Sequence, residues 1–282
     1  MTVCIAATCQ TDTIIAVSDM MVSTGLFAAD NMAMKFKDLN SQWKVMFAGN
    51  DVSRIEPLLW EAKRRVRAVQ GRVSLLQMES IMRECFQSEI VQKGTDLVLA
   101  RYGLTMQEFL DTGLARFGEA TFTAMKYQLD QIELDCAFLV YGHDEKDDAH
   151  VFSVEDPGVI CNHDLYGFWA IGSGSNRALS SLFFQNFRMS LPEPEALYYL
   201  AEAKFMAEGG AVGAETLVMI RRKDGSSHGS LSMDLIKKLW KRHGRPKMPR
   251  NAREIITRSM KEEFFVLSEP KPLTSQTSEP GK

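Results

Sequence analysis

The spacing of apolar residues changes period along the chain, and each change marks a switch between strands and helices. Residues 3–7 and 14–17 are compact runs of β-branched and small apolar side chains, and the polar stretch 8–13 between them reads as a turn. The pair predicts a β-hairpin. Residues 44–48 (KVMFA) predict another strand, with 33–39 as its partner. The period then becomes helical. Ser53 and Glu56 have capping-box spacing, and Ile55, Leu58, Leu59, Ala62, Val66 and Val69 share one face of a helix that Gly71 would stop. Pro57 lies in its first turn, where no intrahelical donor is missed. Ser74 and Gln77 form a second box ahead of Leu75, Met78, Ile81, Met82, Cys85 and Phe86. Thr105 and Glu108 form a third ahead of Phe109, with helix resuming toward Leu129.

Strand patterns return at 136–142 (CAFLVYG), 150–154 and 168–171. Two amphipathic helices follow, at 177–188 and 194–208, the second with Pro194 in its first turn. Residues 215–221 (ETLVMIR) then predict a buried strand. The order is strands, helices, strands, two helices, strand. It predicts an α+β fold with two sheets, or one sheet covered by segregated helix pairs, rather than alternating βαβ units. No GxGxxG or Walker loop is present to support a doubly wound nucleotide fold.

Composition adds limits. The 282 residues are 45% apolar and 24% charged, normal for a globular chain with a buried core. A net charge of -3 gives no global reason to expect a nucleic acid or a membrane surface as partner. No apolar run approaches bilayer length, and the first residues lack the basic and apolar regions of a signal peptide, so a cytoplasmic protein is expected. The five cysteines, Cys4, Cys9, Cys85, Cys136 and Cys161, are odd in number, scattered and free of CxxC spacing. Reduced thiols are expected rather than disulfides or a zinc site, and no other metal or cofactor is implied.

The C-terminal region differs. Between 237 and 261 the basic residues Lys237, Lys238, Lys241, Arg242, Arg245, Lys247, Arg250, Arg253, Arg258 and Lys261 face Glu254 as the one acid. A solvated helix or subunit contact is the ordinary reading of such a run; nucleic-acid binding is the competing one and is not expected. Beyond Ser268 the chain has the polar, Pro-rich composition of a disordered tail. The predicted organisation is a core domain over 1–232, a basic helical extension over 233–267 and a tail over 268–282.

Five segments carry a resemblance. MTVCIAATCQTDTIIAVSD, MAMKF, KVMFAGN, AIGSGSNRALSSL and LAEAKFMAEGGAVGAETLVMI, in this order, resemble proteasome-type β-subunits and HslV-like peptidases of the N-terminal-nucleophile (Ntn) hydrolase family. The likeness spans roughly residues 2–222. It implies an αββα sandwich, interrupted here by a helical insertion at about 93–130. It also implies a threonine peptidase acting on a peptide or protein substrate, a ring-like homo-oligomer, and an unfoldase partner that the sequence does not identify.

The residues have physical reasons to fill the implied roles. A threonine hydroxyl is a poor nucleophile without a base beside it, and a chain-terminal threonine carries one in its own α-amine, which titrates at about 8. Thr2, exposed by removal of Met1, is the implied nucleophile. Lys35 is implied to lie against its hydroxyl, with Asp19 holding the lysine charged, since a nearby ammonium favours loss of the hydroxyl proton. Gly49, at a strand end ahead of a helix, is implied to supply an oxyanion-hole N–H. Ser173, in Gly172-Ser173-Gly174-Ser175, is implied to orient the amine. Val22, Ala33 and Phe47 are candidates for lining a specificity pocket.

Other readings compete. Lys35 and Asp19 can be surface residues paired elsewhere, Gly49 a plain turn glycine, and the Gly172–Ser175 turn a phosphate site at a helix N-terminus. The whole chain can be a non-catalytic proteasome-like scaffold. Two departures from the family pattern bear on this. The stretch from Thr2 to Asp19 is one residue wider than the motif, and the family's second polar pair is replaced by Glu208 and Val212-Gly213.

Overall fold

The computed structural model describes residues 2–23, 28–29, 34–50, 53–208, 212–230, 232–243, 252–263 and 265–266. The chain opens with a hairpin of β1 (Cys4–Cys9) and β2 (Thr13–Asp19), closed by a 3₁₀ turn at Gln10–Asp12. Its ladder runs unbroken from the Cys4–Ser18 pair to the Cys9–Thr13 pair. In the turn Asp12 has φ 55°, a left-handed conformation that aspartate tolerates. The short strands β3 (Val22–Ser23) and β4 (Ala28–Ala29) follow, then β5 (Phe36–Asp38) and β6 (Trp43–Gly49). Next come α1 (Ile55–Ala68), α2 (Leu75–Gly94), α3 (Met106–Phe117) and α4 (Glu119–Asp130), and then β7 (Cys136–His143), β8 (Ala149–Glu155), β9 (Val159–Asn162) and β10 (Phe168–Ile171). Helices α5 (Ser175–Phe184) and α6 (Glu193–Ala207) lead to β11 (Thr216–Arg221) and β12 (Ser227–Ser230). Helices α7 (Asp234–His243) and α8 (Ala252–Glu262) and the strand β13 (Phe265–Val266) complete the described chain.

The fold is α+β, with two large antiparallel sheets. One has six strands in the order β10-β1-β2-β11-β12-β13, the other five in the order β5-β6-β7-β8-β9. Strand alternation decides what each face meets. Cys4, Ala6, Ile14, Ala16 and Leu217 of the first sheet pack against Met46, Leu139, Tyr141 and Val151 of the second. The opposite face of the first sheet (Val3, Ile5, Ile15, Val17) buries itself under α5 and α6. The opposite face of the second (Val45, Phe138, Val140, Phe152) buries itself under α1 and α2. Helices therefore cover both outer faces, and the two sheets meet in the middle.

Local details depart from the sequence reading in two places, the start of α1 and the burial of α6. The boxes at Ser74–Gln77 and Thr105–Glu108 form, but α1 is capped by Arg54, with no side-chain cap bond. Glu56 instead accepts a bond from Lys37 Nζ at 2.6 Å. Helix α6 is buried almost all round rather than amphipathic, because α7 and α8 pack on it and bring Ile236, Leu239 and Ile256 into the same cluster as Leu197 and Leu200. The stretch at 93–130 holds a small core of its own, in which Val98, Leu99, Leu104, Phe109 and Met125 are buried together. The tail at 268–282 lies outside the described residues.

Candidate active site

Asp19 ends β2 and Thr2 precedes β1, so the hairpin brings the two together at the same end of the first sheet's strands. Lys35, immediately before β5, comes in from the second sheet. Its ammonium donates to the Thr2 hydroxyl in a short hydrogen bond and to Asp19 Oδ1 at 2.6 Å. All three side chains are buried, at 7% exposure for Thr2, 4% for Lys35 and none for Asp19. A charge inside a protein is tolerated when it is paired and its remaining valences are filled. Asp19 meets that condition, because Val3 N–H donates to its Oδ1 at 3.0 Å, and Met21 and Gly213 N–H groups donate to its Oδ2 at 3.2 Å each.

The other end of Thr2 is held by the turn between β10 and α5. Thr2 N donates to Ser173 Oγ at 3.1 Å, and Gly174 N–H donates to the Thr2 carbonyl at 3.0 Å. The latter contact uses a donor at the start of α5, so this helix end serves the Thr2 backbone. Gly172 has φ +91°, and a Cβ there would lie 2.4 Å from the Thr2 carbonyl oxygen. Only glycine gives both that backbone angle and that approach.

A cavity of about 370 Å³ opens beside Thr2, and Gly49, Gly172 and Ser173 line it too. Gly49 sits where β6 crosses the start of β7, and a Cβ on it would come 2.7 Å from Cys136 Cβ and 2.8 Å from the Asp135 carbonyl. Its lack of a side chain keeps this wall of the cavity low. Asp135, Glu155 and Asp156 also line the cavity, and no lysine or arginine does among the described residues. Asp135 accepts from Asn50 Nδ2 at 2.7 Å, and Asp156 from the N–H groups of Leu134 and Asp135 at 2.8 and 2.9 Å. The charges of Asp135 and Asp156 are thus hydrogen-bonded, and no cation among the described residues pairs with them, which makes the wall negative. Among the described residues, no group of three or more His, Cys, Asp or Glu side chains is placed to hold a metal ion.

Thr2, Asp19, Lys35, Gly49 and Ser173 thus meet at one place. The candidate pocket residues do not. Phe47 packs beside the α1–α2 cluster, because Met46 and Ala48 take the inward positions of β6 and alternation turns Phe47 to the other face. Its neighbours Ala48 and Asn50 line the cavity in its place. Ala33 and the side chain of Val22 lie outside the described residues. Cys4, close enough to feel the charges of Lys35 and Asp19, is fully buried. Burial pushes its thiol well above the ordinary range, so it is inert there.

Glu208 does not reach Thr2. It accepts from Lys204 Nζ at 2.7 Å and from Lys237 Nζ at 2.9 Å. Gly213, at the position where a polar partner for the amine was expected, gives its N–H to Asp19 instead. Sequence reasoning missed this contact because a backbone donor leaves no side-chain signal. It missed Lys204 too, although a lysine in the apolar run LAEAKFMA was a visible oddity. No protein-family model matches the chain, and a search of curated proteins finds no relative.

Proposed function

We propose that the chain is a threonine-type Ntn hydrolase of the proteasome β-subunit kind, an αββα sandwich that cleaves peptide (amide) bonds. The observation that carries this reading is the buried Lys35 ammonium, shared between the Thr2 hydroxyl and the Asp19 carboxylate beside an open cavity. A lysine held only for stability has no need of a hydroxyl partner at a cavity wall.

Removal of Met1 leaves a free amine on the nitrogen that meets Ser173. Thr2 Oγ1 attacks the amide carbon while its proton passes to this amine, and the Lys35 charge stabilises the developing alkoxide. The Gly49 N–H takes the oxyanion. The carbon–nitrogen bond then breaks, the leaving amine carries off the proton, and an ester on Thr2 remains. Water attacks that ester with the Thr2 amine again as base, which releases the acid and restores the threonine. Asp135, Glu155 and Asp156 disfavour acidic substrate side chains on their wall of the cavity. A ring-like homo-oligomer, an unfoldase partner and a cytoplasmic location belong to the same reading.

One observation favours an inactive scaffold instead. Ser173 is the partner of the Thr2 nitrogen among the described residues, Glu208 and Gly213 being engaged elsewhere. Intact mass and N-terminal sequencing separate the two readings. The enzyme requires a chain that begins at Thr2; full retention of Met1 would leave no threonine amine and end the proposal.

A further inference from the structure

Lys204 is a buried cation that the chemistry above does not use. It lies on α6 with no exposed surface, and burial pushes its pKa below the ordinary lysine value against the pull of Glu208. A buried ammonium is costly unless its donors are filled. Here they are, by Glu208 Oε1 at 2.7 Å and the carbonyls of Gly213 and Ala214 at 2.9 Å each. Two of the three partners are thus successive peptides in the approach to β11. Gly213 is gripped on both sides, its carbonyl oxygen by Lys204 and its N–H by Asp19 Oδ2. Asp19 in turn bonds Lys35, and Lys35 bonds the Thr2 hydroxyl.

The grip is closed from outside by the C-terminal extension. Lys237 of α7 donates to Glu208 Oε1 at 3.0 Å and to the Ala214 carbonyl at 3.4 Å. Trp240 of the same helix covers Phe205 at 5.4 Å between ring centroids and donates to Glu202 at 3.2 Å.

We propose that Lys204 is a positioning residue, which fixes the Gly213 backbone against Asp19 and so sets Lys35 on the Thr2 hydroxyl, with Glu208 and Lys237 as its outer struts. The proposal rests on the reading of Thr2 as nucleophile. It makes α7 part of the support of the site rather than an appendage.

The test compares the full-length protein with Lys204→Met, Glu208→Gln and Lys237→Met. The rate at which a β-lactone acylates Thr2 is followed across pH, and crystal structures of the variants are solved. Lys204→Met is expected to slow acylation on the order of 10²-fold, the size associated with misplacement of a reacting group by about 1 Å. The pH of half-maximal rate rises as well, because a displaced Lys35 no longer favours the deprotonated amine. Lys237→Met and Glu208→Gln shift rate and profile in the same direction by less. A folded Lys204→Met with the wild-type rate and profile overturns the proposal. Should Lys204→Met fail to fold, wild-type behaviour of both other variants overturns it. If the wild type itself is not acylated, the reading of Thr2 fails, and the structures decide the positioning claim alone. Loss of the Gly213–Asp19 contact in the variants then sustains the positioning claim, and its retention in all of them refutes it.

Discussion

Two buried lysines flank Asp19, and their surroundings differ. Lys35 shares its charge between one carboxylate and one hydroxyl, and that hydroxyl lines a cavity. Lys204 is saturated by a carboxylate and two carbonyls in the packed layer between α6, α7 and β11. Burial alone therefore does not mark a reactive lysine. What marks Lys35 is a partner that can lose a proton next to space for a substrate; what marks Lys204 is a set of partners that cannot. The first arrangement suits chemistry and the second suits holding a backbone still.

The sharpest way to break this contrast is to remove Lys35. Lys35→Met deprives the hydroxyl of its cation and leaves Asp19 buried with, among the described residues, backbone donors alone. Acylation of Thr2 is expected to fall by at least about 10³-fold, because nucleophile and activating groups act as a unit. Stability should drop by about 3 kcal/mol, the lower end for a broken buried pair, since three N–H groups still reach Asp19. Urea unfolding beside the acylation assay checks both. A variant with wild-type acylation would show that Lys35 serves the fold and not the chemistry.

A histidine outside both regions provides a control for burial without charge. His163 is 4% exposed, lies 2.9 Å from Ser153 Oγ through its Nε2 and stacks on Trp169 with centroids 4.1 Å apart. Burial lowers its pKa from 6.5 to about 4. Between those values the unfolded chain binds a proton that the native one refuses, so stability falls as the pH drops through that window. The loss from this group is about 3 kcal/mol at its lower end. His163→Gln should lack that part of the slope when unfolding is measured at several pH values. Parallel slopes in variant and wild type would contradict the assignment.

A smaller effect is expected at Gly172. Alanine there meets both the positive φ and the Thr2 carbonyl at 2.4 Å. Strain of about 1–3 kcal/mol follows, with Thr2 pushed toward the cavity. Thermal unfolding and acylation should therefore decline together in Gly172→Ala. Loss of stability with wild-type acylation would show that this contact supports the fold and not the site.

Much of this was legible from the chain because the strands are short, apolar and separated by clear turns. The hairpin, the pairing of β5 with β6 and the two functioning capping boxes follow from local pattern. The meeting of Thr2, Asp19, Lys35, Gly49 and Ser173 was reachable only through the order of five segments, since 171 positions separate Thr2 from Ser173. Phe47 was misplaced for want of knowing which face of β6 points inward. The short strands β9 and β12 passed unnoticed, since VICN and SHGS are too brief for a periodic signal. The Gly213–Asp19 bond was invisible because its donor is backbone, and the burial of α6 because it depends on helices that arrive later in the chain.

The central claim is that the Thr2 hydroxyl is the nucleophile, and a threonine-directed epoxyketone tests it most directly. Wild-type protein and Thr2→Ala are treated in parallel, and adducts are mapped by peptide mass spectrometry. The account predicts a chain starting at Thr2, an adduct on that residue in the wild type, and none in Thr2→Ala. Equal labelling of both proteins, or an adduct on Cys136 in the same cavity, would contradict it.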